Sequence, residues 1–409
     1  MDEHHSFTQR DGLPGNIMLN SSNHLMAHLR ELAGRIGVRY VGSPGNHTAA
    51  EYIRCEMEKA GLAVEIQTSE CPEWAVRRAV CEPEGILVNP FSPQVDVTAP
   101  VVPLCTVAEL AAADLRGGIA LLYGDLSAAP VSPKRWFLKT ERDEQIVGLL
   151  ERKAPAAVLS AQPAVPYFAH GFCDADFSIP SATLPHPVAL ELLRGNPPAV
   201  RLAWETESRP GSTANVVGRM KGSRPEKIVL SAHHDTAATT PGACDNAGGI
   251  AILLALAAHW TAEERDCGLE FAALSGHEYL PLGVERYLQT ASPGKMIAAL
   301  NFDGAGHRLG TNTLTAMSAS DALIRAARSV LDRFPGAVWT DPWPESDHSA
   351  FAMRGVPALA FGGAGVRDIH HTPGDTIDGM STEKLNEAAS IAAEIVEDLQ
   401  KKSIGWGRP

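Results

Sequence analysis

Residues 228–250 read IVLSAHHDTAATTPGACDNAGGI and give the strongest indication of the fold. An apolar run that begins at Ile228 stops at His233, and a loop rich in Gly, Pro and Thr then leads to Asp245 just ahead of an apolar helical pattern. Buried strands of α/β sheets deliver polar side chains to a cleft in this way. Because alternate residues of an extended segment face the same way, Asp235 can accept the imidazole N–H of His233 and fix its tautomer. The stretch therefore predicts half of a polar site at a strand end.

Further acidic and imidazole side chains follow later apolar segments. Glu278 comes after LEFAALS, Asp303 directly follows MIAALNF, and His371 comes after VPALAF. Strand-like and helix-like segments alternate throughout this part of the chain, which is typical of an α/β fold. We therefore predict a mostly parallel, mixed sheet with helices on both faces.

The chain is expected to consist of a main domain and an insert. Residues 22–60 carry helical periodicity twice, whereas from about residue 84 prolines multiply and short strand-like segments are joined by turns. The α/β alternation resumes after Trp204. We predict a main α/β domain formed by residues 20–84 and 209–402, with a mostly β inserted domain at 85–208.

Two helices have boundaries that can be predicted. Ala247–Trp260 is nearly all apolar, which indicates a buried helix. In the last helix Ser381 is the expected N-cap, and apolar residues recur after it at helical spacing. They are Leu385, Ala388, Ala392, Ile395 and Leu399. This stripe should dock against the sheet.

Composition excludes several classes of function. A net charge of −13 without a Lys/Arg run argues against binding to nucleic acid or to an anionic membrane, since both need clustered cations. No segment reaches the roughly 18 apolar residues of a membrane span, and the N-terminus lacks a signal-like apolar region, so we expect a cytoplasmic protein. The seven cysteines include no C-x-x-C pair, which speaks against a disulfide framework or a zinc–thiolate site. Peptides or other small molecules are the expected partners, and the oligomeric state stays open.

Each candidate site residue, taken alone, also has a structural explanation. Asp245 could cap the following helix, Glu278 and Asp303 could be acidic because strand ends meet solvent, and His371 could be a surface histidine. Taken together with His233, however, these residues give two imidazoles and three carboxylates at separate strand ends. This set matches a divalent pair such as zinc, with one carboxylate bridging ions roughly 3.5–4 Å apart.

The motifs HHDT, GACDNAGG, HEYLPLG, NFDGAG, SDHSAFAMRGVPAL and HTPGDT occur in the order found in the M28 family of zinc-dependent aminopeptidases, which this sequence resembles. The resemblance covers roughly residues 20–84 and 209–402 and implies a zinc exopeptidase-like fold. The segment between them, with LRGGIALLYG and FSIPSATL, resembles the protease-associated domain that many such peptidases carry.

The resemblance also implies a ligand set and a cofactor. Asp245 corresponds to a carboxylate that bridges two zinc ions. His233 and Asp303 would complete the coordination of one ion. Glu278 and His371 would complete that of the other.

The sequence departs from the family pattern next to a ligand. Where the family usually has two acidic residues, a general base followed by a metal ligand, this chain has His277 and Glu278. A neutral imidazole with an ordinary pKa of about 6.5 can carry protons near neutral pH, but His277 could also serve only as a hydrogen-bonding group in a site of changed chemistry. His370, which replaces a Tyr of some members, is a candidate for substrate binding together with His348 and Asp347.

Three functions are compatible with these residues. The first is a di-zinc hydrolase that cleaves an N-terminal residue from peptides or a small aminoacyl amide, with His277 and Asp235 as the catalytic candidates. The second is an acyltransferase of the glutaminyl-cyclase type, a pattern associated with a single zinc ion, so that all five ligand positions favour the hydrolase. The third is a metal-binding protein without hydrolase activity.

Overall fold

The computed structural model describes residues 22–162, 169–195, 199–260 and 265–409, so the first two residues of the predicted segment 20–84 lie outside it. The strands are β1 (Ala63–Glu82), β2 (Leu87–Val88), β3 (Val95–Ala99), β4 (Val101–Leu104), β5 (Ile119–Leu122), β6 (Ala157–Gln162), β7 (Ser181–Pro185), β8 (Val200–Met220), β9 (Lys227–His233), β10 (Gly268–Leu274), β11 (Met296–Phe302), β12 (Thr311–Met317), β13 (Ala337–Trp339) and β14 (Ala358–Ala364). The α-helices are α1 (Ser22–Leu29), α2 (Pro44–Lys59), α3 (Val107–Ala112), α4 (Glu141–Lys153), α5 (His186–Gly195), α6 (Gly248–His259), α7 (Leu282–Thr290), α8 (Asp321–Leu331), α9 (His348–Ala352) and α10 (Thr382–Leu399).

The larger sheet has the order β1-β8-β10-β9-β11-β14-β12-β13, and β3 pairs with β8. Its centre, from β10 through β9 and β11 to β14, is parallel. The neighbours β8 and β12 join this centre antiparallel, and β1 and β3 pair antiparallel with β8. The predicted α/β class with a mixed sheet is confirmed. Besides the central strands, β12 and β13 at one edge also pair parallel, whereas the other edge, formed by β8, β1 and β3, is antiparallel.

The central strands are buried on both faces, which explains their almost continuous apolar sequence. In β9, Ile228 and Leu230 pack into one core while Val229 packs into the opposite one. Helices α1, α2, α6, α8 and α10 contribute to the first core, and α7 and α9 to the second. The sheet is therefore covered by helices on both sides, and its polar groups can reach a cleft only at the strand ends.

The two helices predicted from sequence are confirmed. Helix α6 begins one residue after the predicted start and ends one residue before the predicted end, and its side chains from Ile250 to Ala257 are buried. In α10, Ser381 is the N-cap and its hydroxyl accepts the Lys384 N–H. The whole predicted apolar stripe of α10 is buried and packs against α6, α8 and β11.

A second sheet, of order β2-β7-β6-β5-β4, lies in the segment between β1 and β8. Strands β4, β5, β6 and β7 are parallel, and helices α3, α4 and α5 accompany them. This segment therefore contains more helix than the predicted mostly β domain would have. Thr106 and Thr140 stabilise the starts of α3 and α4 as N-caps. The division of the chain at 85 and 208 stays a prediction.

We expect Leu253→Ala in α6 to destabilise the protein by about 2–5 kcal/mol, because the lost side chain leaves a cavity in the main core. Urea unfolding of the purified protein measures the change. Leu309→Ala is the matched control, since Leu309 is 81% exposed and its truncation should change stability by less than about 0.5 kcal/mol. Equal effects of the two substitutions would contradict the placement of α6 in the core.

Candidate metal centre

The candidate site residues meet at the carboxyl ends of the central parallel strands. His233 is the last residue of β9, and Asp303 directly follows β11. Glu278 lies in the turn after β10, and His371 lies in the loop after β14. Asp245 lies just ahead of α6. Because parallel strands end at the same edge of a sheet, five segments that are distant in sequence place their polar side chains together.

Two groups of potential ligand atoms share Asp245. In one group, His233 Nε2 lies 3.2 Å from Asp245 Oδ1 and 3.3 Å from Asp303 Oδ1. In the other, His371 Nε2 lies 3.1 Å from both Asp245 Oδ2 and Glu278 Oε2. The potential ligand atoms of each group lie within 4.8 Å of one another. The two oxygens of the Asp245 carboxylate thus face two different groups.

Burial makes the charges in this cluster depend on one another. Burial by itself raises the pKa of a carboxyl group, but His233 and His371 hold the pKa of Asp245 well below its usual range. Burial likewise lowers the pKa of His233, but Asp303, Asp235 and Asp245 raise it well above its usual range. Each charged group is therefore stabilised mainly by its oppositely charged neighbours.

The donor set fits divalent metal ions. Imidazole nitrogen and carboxylate oxygen are zinc ligands, and a set of three protein ligands is typical of catalytic zinc sites. Asp245 Oδ1 is buried and has no hydrogen-bond donor of suitable geometry among the described residues, so it is available to a cation. A third candidate group, which overlaps the first two, consists of His233, His277 and Glu278.

Asp235 supports the cluster through the backbone. Its carboxylate accepts the N–H groups of His277 at 3.2 Å and of Glu278 at 2.9 Å. The ring of His233 is held differently from the sequence expectation, because its Nδ1 lies 3.1 Å from the backbone carbonyl of Asp235 and 3.7 Å from the carboxylate. The carboxylate is thus engaged mainly by the turn that carries Glu278.

Asp375 and Asn246 position the segment that carries Asp245. The Asp375 carboxylate accepts the N–H groups of Cys244 at 2.7 Å and of Asp245 at 2.9 Å. Asn246 Oδ1 accepts the Gly249 N–H, so the helix cap is Asn246, and Asp245 is free to face the cluster. The peptide bond between Asp245 and Asn246 is cis. Sequence reasoning did not single out Asp375, although it lies in the quoted motif HTPGDT.

Arg39 is a second residue that the sequence reasoning missed. Its side chain is fully buried, and its guanidinium group donates to backbone carbonyls rather than to a carboxylate. These carbonyls belong to His234, Leu32, Gly37, Pro241 and Gly242. The Arg39 guanidinium group alone thereby fixes both ends of the loop between β9 and Asp245. Arg39 begins the loop segment RYVGSPGN, residues 39–46, and nothing in the spacing of this segment points to a partner almost 200 positions later.

His277 lies against the cluster. Its ring stacks on that of His233 with 4.2 Å between the ring centroids. Its Nδ1 lies 3.3 Å from Asp347 Oδ1, and its Nε2 lies 3.9 Å from Asp303 Oδ2. Burial and His233 lower the pKa of His277, but Asp347 and Asp303 outweigh them and raise it to about 9. Divalent cations beside the ring would oppose this rise by favouring the neutral imidazole.

The remaining predicted residues differ in their positions. His370 lies at the cleft, with its Nδ1 3.7 Å from Asp245 Oδ2. His348 is fully buried, and its Nε2 lies 2.7 Å from the Trp343 carbonyl oxygen, so its ring is engaged within its own loop. Asp347 is buried behind His277. Substrate binding by these three residues stays a prediction, and the contacts favour it most for His370.

A cavity of about 1220 Å³ opens above the cluster. Its wall is formed by Asp245, Glu278 and Asp303 of the main domain and by Val131 and Trp136 of the segment between β1 and β8. The Trp136 ring stands edge-on to the His277 ring, with 6.5 Å between their centroids. Sequence reasoning did not single out Trp136, because a tryptophan in a loop carries no spacing signal.

Comparisons with known proteins point to a family of peptidases. Residues 215–396 match the model of peptidase family M28. Aminopeptidase YwaD of Bacillus subtilis is 22% identical over 406 residues, which cover 93% of this chain and 85% of that protein. Imidazole and carboxylate groups at the strand ends of an α/β sheet are compatible with a metal-dependent enzyme. The match confirms the predicted resemblance to peptidase family M28 over residues 215–396, and together with the relative it agrees with the predicted class of enzyme, a metallo-aminopeptidase.

Solved structures show the same fold. BSAP, a zinc aminopeptidase from Bacillus subtilis, has a TM-score of 0.76 at 19% identity, with 94% of this chain and 97% of that chain covered. Glutaminyl cyclase from Porphyromonas gingivalis has a TM-score of 0.54 at 11% identity, with 94% and 99% covered. Among the described residues, no helix has the length and apolar character needed to cross a membrane.

We expect Asp375→Ala to loosen the segment that carries Asp245, because two buried N–H groups lose their acceptor at about 1–3 kcal/mol each. Hydrogen–deuterium exchange should become faster at Cys244 and Asp245. Asp378→Ala is the control, since Asp378 is exposed in the same segment. Unchanged exchange at Cys244 and Asp245 in Asp375→Ala would contradict this role.

Proposed function

We propose that this protein is a di-zinc aminopeptidase that removes an N-terminal residue from peptides or cleaves a small aminoacyl amide. The observation that carries the proposal is the position of Asp245, whose two carboxylate oxygens face two separate groups of potential ligands. A carboxylate placed in this way can bridge two cations. The free amine and peptide carbonyl of the substrate would enter from the cavity above the cluster.

The chain's own residues would hold both ions. His233 and Asp303 would bind one zinc ion, Glu278 and His371 the other, and Asp245 both. When bound, such a pair supplies a water molecule acidified to near neutral pH and polarises the scissile carbonyl. Because the ligands come from different strands of one rigid sheet, their spacing is fixed by the sheet.

His277 would carry the proton. Its Nε2 points towards the cluster and lies beyond hydrogen-bonding distance of Asp303, so it is free to accept a proton from the attacking water. The same nitrogen would then donate this proton to the leaving amine. Two cations beside the ring favour the neutral imidazole, which strengthens His277 as base and weakens it as acid. A positioned acceptor of this kind replaces the carboxylate expected from the family pattern.

Two alternatives remain as outcomes of the experiments. A glutaminyl-cyclase-type acyltransferase is less well supported, because every position of a two-metal ligand set is kept and the similarity to the cyclase structure is lower than that to BSAP. A metal-binding protein without hydrolase activity would keep the ligands but turn over no amide. The cytoplasmic location and the protease-associated character of the segment 85–208 stay predictions.

The first test of this function concerns Asp245. We expect Asp245→Asn to reduce zinc from two ions per chain to fewer than one, because both sites lose the shared negative charge. Elemental analysis of the purified protein gives the stoichiometry. Asp368→Asn is the control, because Asp368 is an exposed carboxylate outside the cluster and should leave zinc unchanged. Two tightly bound zinc ions in Asp245→Asn would overturn the bridging assignment.

The second test concerns His277. We expect His277→Ala to keep its zinc but to lower kcat on aminoacyl and dipeptide amides by roughly 10²–10⁴-fold, the usual contribution of a positioned proton carrier. His277→Glu should retain or raise activity, and the acid limb of its pH–rate profile should move to lower pH, since a carboxyl group has an ordinary pKa of about 4.3.

His24→Ala is the matched control, because His24 is an exposed histidine of α1 and is not among the potential ligands. Full activity in His277→Ala would exclude His277 as the base. Loss of zinc in His277→Ala would instead identify this residue as a ligand. If the wild-type protein hydrolyses no amide but His277→Glu does, the natural protein is not an ordinary aminopeptidase.

A further inference from the structure

The His277 ring is held on several sides. It stacks on the His233 ring, and the two ring planes are 21° apart. The backbone N–H of His277 donates to Asp235 Oδ1 at 3.2 Å. Its Nδ1 lies 3.3 Å from Asp347 Oδ1, which leaves Nε2 facing Asp303 across 3.9 Å. The ring therefore has one nitrogen engaged by a carboxylate and the other directed at the cluster.

The side chain of Asp347 contacts the His277 ring and makes no other hydrogen bond within the described ranges. It directly precedes α9, yet its side chain makes no capping hydrogen bond to that helix. Its exposed fraction is 4%, and its Oδ2 has no hydrogen-bond partner within the described ranges. A buried carboxylate is costly unless it is paired, and the partner that faces Asp347 is His277.

The loop that carries Asp347 is itself fixed on both sides. Before it, Ser346 Oγ donates to Asp303 Oδ2 at 2.5 Å and accepts from Asn301 Nδ2 at 2.9 Å. After it, His348 Nε2 lies 2.7 Å from a backbone carbonyl oxygen of the same loop. One short segment thus holds both a proposed metal ligand, through Ser346, and the ring of His277, through Asp347.

This contact selects a tautomer. A carboxylate can only accept hydrogen bonds, so the proton of a neutral His277 ring must lie on Nδ1. Nε2 then carries the lone pair and can accept a proton from the side of the cluster. Once Nε2 is protonated, the same carboxylate stabilises the imidazolium. An imidazole with its proton on Nε2 would present a donor to the cluster and could not act as the base.

We propose that Asp347 is a positioning residue that keeps the proton of His277 on Nδ1 and so leaves Nε2 available to accept a proton. This role differs from the substrate binding predicted for Asp347 from the sequence. Only the expected effect of Asp347 on kcat rests on the proposed function. The tautomer itself is a property of the zinc-loaded protein without substrate.

The direct test is ¹⁵N NMR of the zinc-loaded protein labelled at the histidine rings, with the His277 signals assigned by their absence in His277→Ala. In the wild-type protein we expect the His277 proton on Nδ1. In Asp347→Asn, whose amide can donate to Nδ1, we expect the proton to move to Nε2. Asp347→Glu keeps a carboxylate and should retain the Nδ1–H form, and Asp341→Asn, at an exposed position, should change nothing.

The kinetic test separates positioning from substrate binding. We expect Asp347→Asn to lower kcat by roughly 10–100-fold, a range typical of groups that orient a functional residue, with KM and zinc content within about twofold of wild type. In a His277→Ala background the same substitution should have no further effect, since the two residues act as a unit.

Three results would overturn the proposal. They are an Nδ1–H signal that persists in Asp347→Asn, a raised KM with unchanged kcat, and a loss of kcat that adds fully to that of His277→Ala. If the wild-type protein hydrolyses no substrate, the proposed function fails, but the NMR comparison still decides the role of Asp347. If Asp347→Asn does not fold, Asp347→Ala, which removes the acceptor, takes its place, and a smaller share of the Nδ1–H form is the expected result.

Discussion

The sharing of one buried carboxylate, that of Asp245, between two imidazole–carboxylate groups is the interaction on which the rest of the site depends. Three carboxylates lie close together where little water can screen their repulsion, so they need cations or charged imidazoles between them. His233 and His371 lie at hydrogen-bonding distance from both sides of Asp245. Divalent ions would meet the same requirement with more charge, which explains why this sheet edge is arranged as a ligand shell.

This constraint explains why three of the supporting residues contact the backbone rather than the side chains of the proposed ligands. Arg39, Asp235 and Asp375 hold the segments that carry the ligands through N–H groups and carbonyls. A ligand carboxylate that was itself hydrogen-bonded by many donors would bind a cation less well, since those donors compete for its lone pairs. Contacts to the backbone avoid this competition at Asp245, whose Oδ1 has no donor of suitable geometry among the described residues, whereas Asp303 Oδ2 accepts the Ser346 hydroxyl.

Much of this arrangement could be predicted from sequence because it is local. A buried parallel strand reads as an apolar run, and the polar residues directly after it must lie at one edge of the sheet, which brings His233, Glu278 and Asp303 together. Arg39 and Asp375 could not be found in this way, because each acts on a segment more than 100 residues distant. The loop between β9 and Asp245 is fixed by tertiary contacts, and such contacts leave no periodic pattern in the sequence.

The exchange of a carboxylate for His277 has a cost that the sequence alone does not reveal. The two oxygens of a carboxylate are equivalent, so either can accept a proton, whereas the two nitrogens of an imidazole have different roles at any moment. A histidine in this position therefore needs a second group that decides which nitrogen carries the proton. Asp347 lies on the far side of the ring from Asp303 and is buried there. Under the proposed roles, a carboxylate would no longer accept the proton itself but would orient the imidazole that accepts it.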